Sequence, residues 1–154
     1  MCHRFPLLVL LSAFFIVASE TPVQGEENPL RGAWRTDTYF LKDGAKLKVD
    51  GLIFFTDRDW TVLFFVMDED RTPQRGSGEG GTYTLQADRL VFTHLYHLSA
   101  GKKVASLPET PLRMEVKRSA DAAREPCQVE VDEQRMTIHF PSGNRMSFVS
   151  SSRF

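Results

Sequence analysis

His94, with Tyr96 two positions further on, is the pair of side chains in this chain best suited to chemistry at neutral pH. An imidazole titrates near pH 6.5 and can donate, accept or ligate. A phenol two residues away along a strand shares its face. In Arg89-Leu90-Val91-Phe92-Thr93-His94-Leu95-Tyr96-His97 the alternation sets Leu90, Phe92, His94 and Tyr96 on one face. If that face is interior, two polar tips stand among apolar rings, which is how a pocket orients a small ligand. A histidine satisfied by one internal hydrogen bond is the competing reading. Trp34, near the closed end, and Tyr83 are also assigned inward. The expected ligand-binding set is Trp34, Tyr83, Phe92, His94 and Tyr96.

Other chemistry finds no support. His94 and His97 are three apart on a strand, so they face opposite sides and cannot share a metal without a bulge. His139 reads outward, so the three or four clustered ligands of a zinc site are not in view. Asp68-Glu69-Asp70, and Asp57 with Asp59, lack the spacing of a calcium loop and read as solvated acidic segments. No Gly-x-Ser-x-Gly is present. The glycines of 76–81 are not followed by a helix, as a phosphate loop requires. Catalytic residue, metal and cofactor are therefore each assigned as none. Cys127 alternates with Val129 and Val131 and reads as an inert core thiol.

The elements that would position His94 begin after an export signal. Residues 1–19 open with His3 and Arg4, continue through an almost unbroken apolar run from Phe5 to Val17, and end in Val17-Ala18-Ser19; Val23-Gln24-Gly25 is a second candidate cut. The run is short for a span of ~20 residues, so no stable membrane span is expected after cleavage. The expected location is secreted or periplasmic. Residues 20–31 read as an N-terminal tether and 32–154 as one domain. A cut after Gly25 removes Arg4 and Glu20 and leaves the net charge at −1, which gives no electrostatic case for nucleic acid. Cys127 is then the only cysteine, so the fold rests on its core, which is rich in Phe, Trp and Tyr.

Strand signals follow one another: 32–41, 45–56, 60–67, 81–86, 89–98, 112–117, 127–131, 134–140 and 144–151. Asp43-Gly44 is a hairpin signal, and no helical period is sustained. Eight or nine antiparallel strands with short connections predict an all-β, up-and-down closed barrel. Two long connections, 68–80 and 99–111, fall at the Asp43-Gly44 end, which marks the expected mouth. Leu112, Met114 and Val116 are expected inward, with Arg113, Glu115 and Lys117 outward. Leu52-Ile53-Phe54-Phe55 and Val62 to Met67 are apolar on both faces. Gly51 marks a bulge there, and the outer face, with Leu52 and Phe54, should be covered by the tether, by a second subunit or by a protein partner.

The chain resembles the bacterial lipocalin-like domain proteins of the calycin group. Gly32-Ala33-Trp34 matches the opening of that group. Gly51-Leu52-Ile53-Phe54-Phe55-Thr56-Asp57 is similar to its glycine, apolar run and Thr-x-Asp turn. Gly81-Thr82-Tyr83 with Asp88-Arg89-Leu90 is similar to its next hairpin, and Thr93-His94 falls where members often carry histidine. The turn after Asp57 lacks the usual glycine, and Trp60 is a departure. The resemblance implies a lipocalin-like barrel, with Arg153 packed over Trp34. The function expected is binding of a small, mostly apolar molecule. Two alternatives stay open: an isomerase, lyase or haem-binding barrel using His94, and an interaction module with a filled barrel.

Overall fold

The computed structural model describes residues 28–151; the expected export signal and Arg153 lie outside them. Nine strands follow one another: β1 (Gly32–Phe40), β2 (Lys46–Phe55), β3 (Asp59–Met67), β4 (Pro73–Gln86), β5 (Arg89–Gly101), β6 (Thr110–Val116), β7 (Ala123–Val131), β8 (Arg135–His139) and β9 (Arg145–Ser150). A 3-10 turn, Ser119–Asp121, separates β6 from β7. No helix among the described residues is long and apolar enough to cross a membrane.

All pairings are antiparallel, and β1, β2, β3, β4, β5, β7, β8 and β9 close into an eight-stranded barrel when β9 meets β1. β6 is extra. It pairs with β5 at Tyr96–Gly101, while β7 pairs with the same edge of β5 at Arg89–His94. Thus β6 and β7 lie end to end and run in one direction, like two halves of an interrupted strand. The barrel is an all-β, antiparallel architecture with one strand outside the closed ring.

The core follows the alternation. Leu90, Phe92, Met136, Ile138 and Phe148 are almost fully buried and pack in one cluster with Trp34, Ile53 and Phe55. Leu30 is completely buried and closes one end: its carbonyl accepts the Trp34 Nε1–H at 2.8 Å, and its own N–H donates to Asn28 Oδ1 at 3.1 Å. Residues 28–31 are therefore a plug in the floor of the barrel, not a free tether.

Two expectations are corrected and one is located. The segment 73–80 is not loop but the first half of β4, paired with both β3 and β5; its alternating glycines hid the strand. The bulge expected at Gly51 is present on the β1 side of β2: Val49, Asp50 and Gly51 stand opposite only Thr36 and Asp37, while the β2–β3 register is unbroken. Most consequentially, β6 is reversed: Leu112, Met114 and Val116 are exposed, Val116 by 80%, while Arg113, Glu115 and Lys117 face the cavity.

The reversal predicts opposite costs for two leucines of similar pattern. Leu90→Ala should lose about 2–5 kcal/mol of stability, and Leu112→Ala should stay within ~0.5 kcal/mol of the parent. Urea unfolding monitored by circular dichroism checks both.

Candidate functional site

β5 carries one residue more than β4 at the level of the site. Gly80 pairs with Tyr96 and Gly81 with His94, which leaves Leu95 as a bulge. The bulge is close-packed: a Cβ on Gly81 would lie 1.9 Å from the Thr93 carbonyl oxygen, so only glycine fits. The Leu95 carbonyl is not orphaned, because Lys117 N–H, just past β6, donates to it at 2.8 Å.

A bulge shifts the phase of side chains beyond it. Before it, Leu90, Phe92 and His94 face inward. After it, His97 and Ser99 do, and Tyr96 turns outward, 56% exposed. His94 and His97 consequently converge on one carboxylate instead of facing apart. His94 Nδ1 lies 2.8 Å from Glu79 Oε2, and His97 Nδ1 lies 3.6 Å from Glu79 Oε1. The other His94 nitrogen, Nε2, is 3.2 Å from Glu125 Oε2 on β7. Ser77 Oγ donates to Glu79 Oε1 at 3.0 Å, and His97 Nε2 is 2.8 Å from Ser99 Oγ. The imidazole of His94 is thus held between two carboxylates from different strands.

That geometry fixes its charge. Hydrogen bonds to Glu125 and Glu79 outweigh burial and raise the His94 pKa to about 9. Burial pushes Glu79 upward, but the hydrogen bond and charge of His94, with the Ser77 hydroxyl, leave it below its ordinary value. At neutral pH the trio is an imidazolium between two carboxylates. Neither ring nitrogen of His94 offers a free lone pair to a haem iron, and the charged ring cannot accept a proton as a general base.

The trio forms part of the wall of a cavity of about 620 Å³. Its floor is apolar, with Trp60, Phe92, Ile138 and Phe148 among its residues. Trp60 packs against Phe92 at 4.3 Å between ring centroids and meets the His94 ring edge-on at 5.2 Å. The Trp60 Nε1–H is buried without a hydrogen-bond partner among the described residues. At the mouth Glu115 pairs with Arg113 and, at 3.1 Å, with Lys117. Arg75 anchors the β5–β6 loop there through the carbonyl oxygen of Pro108 at 2.9 Å.

Of the five expected ligand residues, Phe92 lines this cavity with a buried side chain and His94 with a partly buried one. Tyr96 borders it from an outward position. Trp34 and Tyr83 are buried away from it, near the plugged end. Tyr83 Oη donates to the Thr56 carbonyl at 2.6 Å and accepts from Asn28 Nδ2. Glu79, Glu125, His97 and Trp60 were missed. Strand parity could have found Glu125, which shares a face with Cys127 and Val129; Glu79 lay in a segment read as loop. Among the described residues no group of three or more His, Cys, Asp or Glu side chains could hold a metal ion. Cys127 is buried, which pushes its thiol pKa up to about 12.

No family model and no curated protein matches the chain. Solved structures similar to it include a lipocalin-like protein from Bacteroides uniformis ATCC 8492, 14% identical with a TM-score of 0.47, covering 80% of this chain and 99% of that one. Another is an uncharacterized protein from Bacteroides eggerthii DSM 20697, 17% identical with a TM-score of 0.46, covering 79% and 98%. The barrel itself is defined by its strand pairings.

The trio predicts a pH signature. His94 is protonated below about pH 9 when folded and only below about 6.5 when unfolded. Its stabilisation is therefore complete below pH 6.5 and drains away as pH rises through 9. On the acid side, the depressed Glu79 adds stability that is lost as pH falls below its ordinary value of 4.5. Unfolding free energies measured from pH 6 to 10 should fall by on the order of 2–3 kcal/mol in the parent. His94→Gln should flatten that slope, and an unchanged slope would contradict the pairing.

Proposed function

We propose that the protein is a carrier that holds one small amphipathic molecule in the barrel cavity. The observation that supports this best is the cavity itself: about 620 Å³, with an apolar floor and a few convergent polar groups on one wall. Ligand sites commonly span ~300–1,000 Å³ and have this composition. In this reading the apolar body of the ligand lies against Trp60, Phe92 and Phe148. Its head meets the trio of Glu79, His94 and Glu125.

The head can be specified further. Two carboxylates and one imidazolium leave the trio itself net negative with acceptor lone pairs to spare, while Arg113, Lys117 and Arg124 line other parts of the same cavity. A hydroxyl or amine donates into the trio, whereas a carboxylate set against Glu79 and Glu125 is repelled. The charged, doubly bonded state of His94 favours binding over isomerase, lyase or haem chemistry at this residue. Export belongs to the same proposal, since the apolar run of residues 5–17 reads as a signal.

Titration with dodecylamine, dodecanol and dodecanoate, followed through Trp60 emission, tests the ligand class. Amine and alcohol should bind at least about tenfold more tightly than the carboxylate, about 1.4 kcal/mol. Ala123→Phe, at the exposed edge of the cavity, should weaken both without lowering the melting temperature. Equal affinity for all three heads would remove the assigned role of the trio. N-terminal sequencing of protein recovered outside the cytoplasm should begin after Ser19 or Gly25; a chain still carrying Met1 there would overturn the cleavage reading, and a chain confined to the cytoplasm the export reading.

A further inference from the structure

The convex side of β3–β6 is apolar where a barrel of this kind is ordinarily polar. Leu63 on β3, Tyr96 and Leu98 on β5, and Met114 and Val116 on β6 are all about half exposed or more. They stand in cross-strand register: Leu63, Gly78, Leu98 and Met114 form one row, and Thr61, Gly80, Tyr96 and Val116 the next. No charged side chain falls in either row. With Phe65, Phe54 and Leu112 at its borders, the face presents on the order of 100 Å² per large side chain. Its total exceeds the ~300–600 Å² of the largest apolar patch on a typical monomer. It approaches the ~800 Å² that each partner contributes to a standard interface.

We infer that this face is the interface of a homodimer, with a second copy of the chain packed on it sheet to sheet. The extent of the patch matches what a stable dimer needs, and its lack of charge gives no means of selecting a partner of opposite sign. The relief of the face is also self-complementary. Neighbouring strands are ~4.8 Å apart, so the β3 and β5 side chains flank bare Gly78 as ridges ~10 Å apart. A twofold axis sets one copy's Leu98 ridge into the other's groove and the reverse, as an isologous contact requires. Gly78 needs no glycine for its own fold: an added Cβ would meet Leu63 Cδ1 at 3.7 Å and Leu98 Cβ at 3.9 Å, both ordinary contacts. Glycine at such a position in a strand fits close approach by another surface.

Sedimentation velocity on the protein as its own cells process it, at micromolar concentration, tests the proposal. The parent should run at twice the chain mass. Gly78→Leu, which fills the groove, and Met114→Glu, which charges an exposed position, should each run as monomers with circular dichroism spectra and melting curves of a folded barrel. A parent that stays monomeric overturns the inference, whether it leaves the face solvated or binds neutral phosphatidylcholine vesicles through it. So does a Met114→Glu variant that remains dimeric. Should Gly78→Leu fail to fold, Met114→Glu decides alone, since its side chain touches no core.

Discussion

Leu95 stands opposite no residue of β4, and the upper half of the molecule follows from that extra residue. Below it the barrel obeys the ordinary rule, apolar inward and polar outward. Above it β5 has changed phase, so His97 and Ser99 turn in while Tyr96 and Leu98 turn out. The edge partner of β5 changes at the same level, from β7 to β6. β6 pairs with the shifted half of β5 and inherits its phase, with Glu115 beside His97 and Met114 beside Leu98. A one-residue shift in a strand of period two exchanges its faces completely. The charged cavity wall and the apolar convex face are two sides of that exchange.

The bulge also explains why an ion trio can sit inside a barrel. Charged groups removed from water are costly unless each finds partners. The phase change brings His94 and His97 to the same carboxylate, and β7 enters at the same height with Glu125. Glu79 accepts from Ser77 as well. The trio links β4, β5 and β7 where the closed ring ends and the cavity begins. Breaking one member would leave an unpaired charge, whereas the intact set leaves one net negative charge facing the lumen.

Much of the lower barrel was legible from alternation and turn residues. The Leu90–Phe92–His94 face, the Cys127–Val129 face and the Met136–Ile138 face are found as expected, because each lies in a stretch where phase never changes; at the opposite end, Asp43-Gly44 turns β1 into β2 as expected. The upper half was not legible, for two physical reasons. A bulge leaves no composition signal of its own: Leu95 looks like any apolar strand residue. And β6 has perfect alternation, but alternation reports only that two faces differ, not which one is interior. Apolar-in was the natural assignment for Leu112, Met114 and Val116, and the inherited phase of β5 reverses it. The 73–80 strand was hidden because glycine and proline ordinarily mark loops, while here the glycines share one face and Ser77 and Glu79 the other. Glu79, the hub of the trio, was lost with it.

Inverted faces have an energetic logic when the two sides are considered together. A charged wall facing a cavity loses hydration, and its cost is met by the ion pairs and by any polar head that enters. An apolar face turned to water carries the opposite debt, and covering it returns roughly 25 cal/mol for every Å² removed from water. The two faces share β4 and β5, so a partner packed on the convex side stiffens the wall that holds the trio. Ordering the wall in advance lowers the entropy lost when a ligand binds. Occupancy of the convex face and occupancy of the cavity would then be coupled, and thermodynamic reciprocity requires the coupling to be equal in both directions.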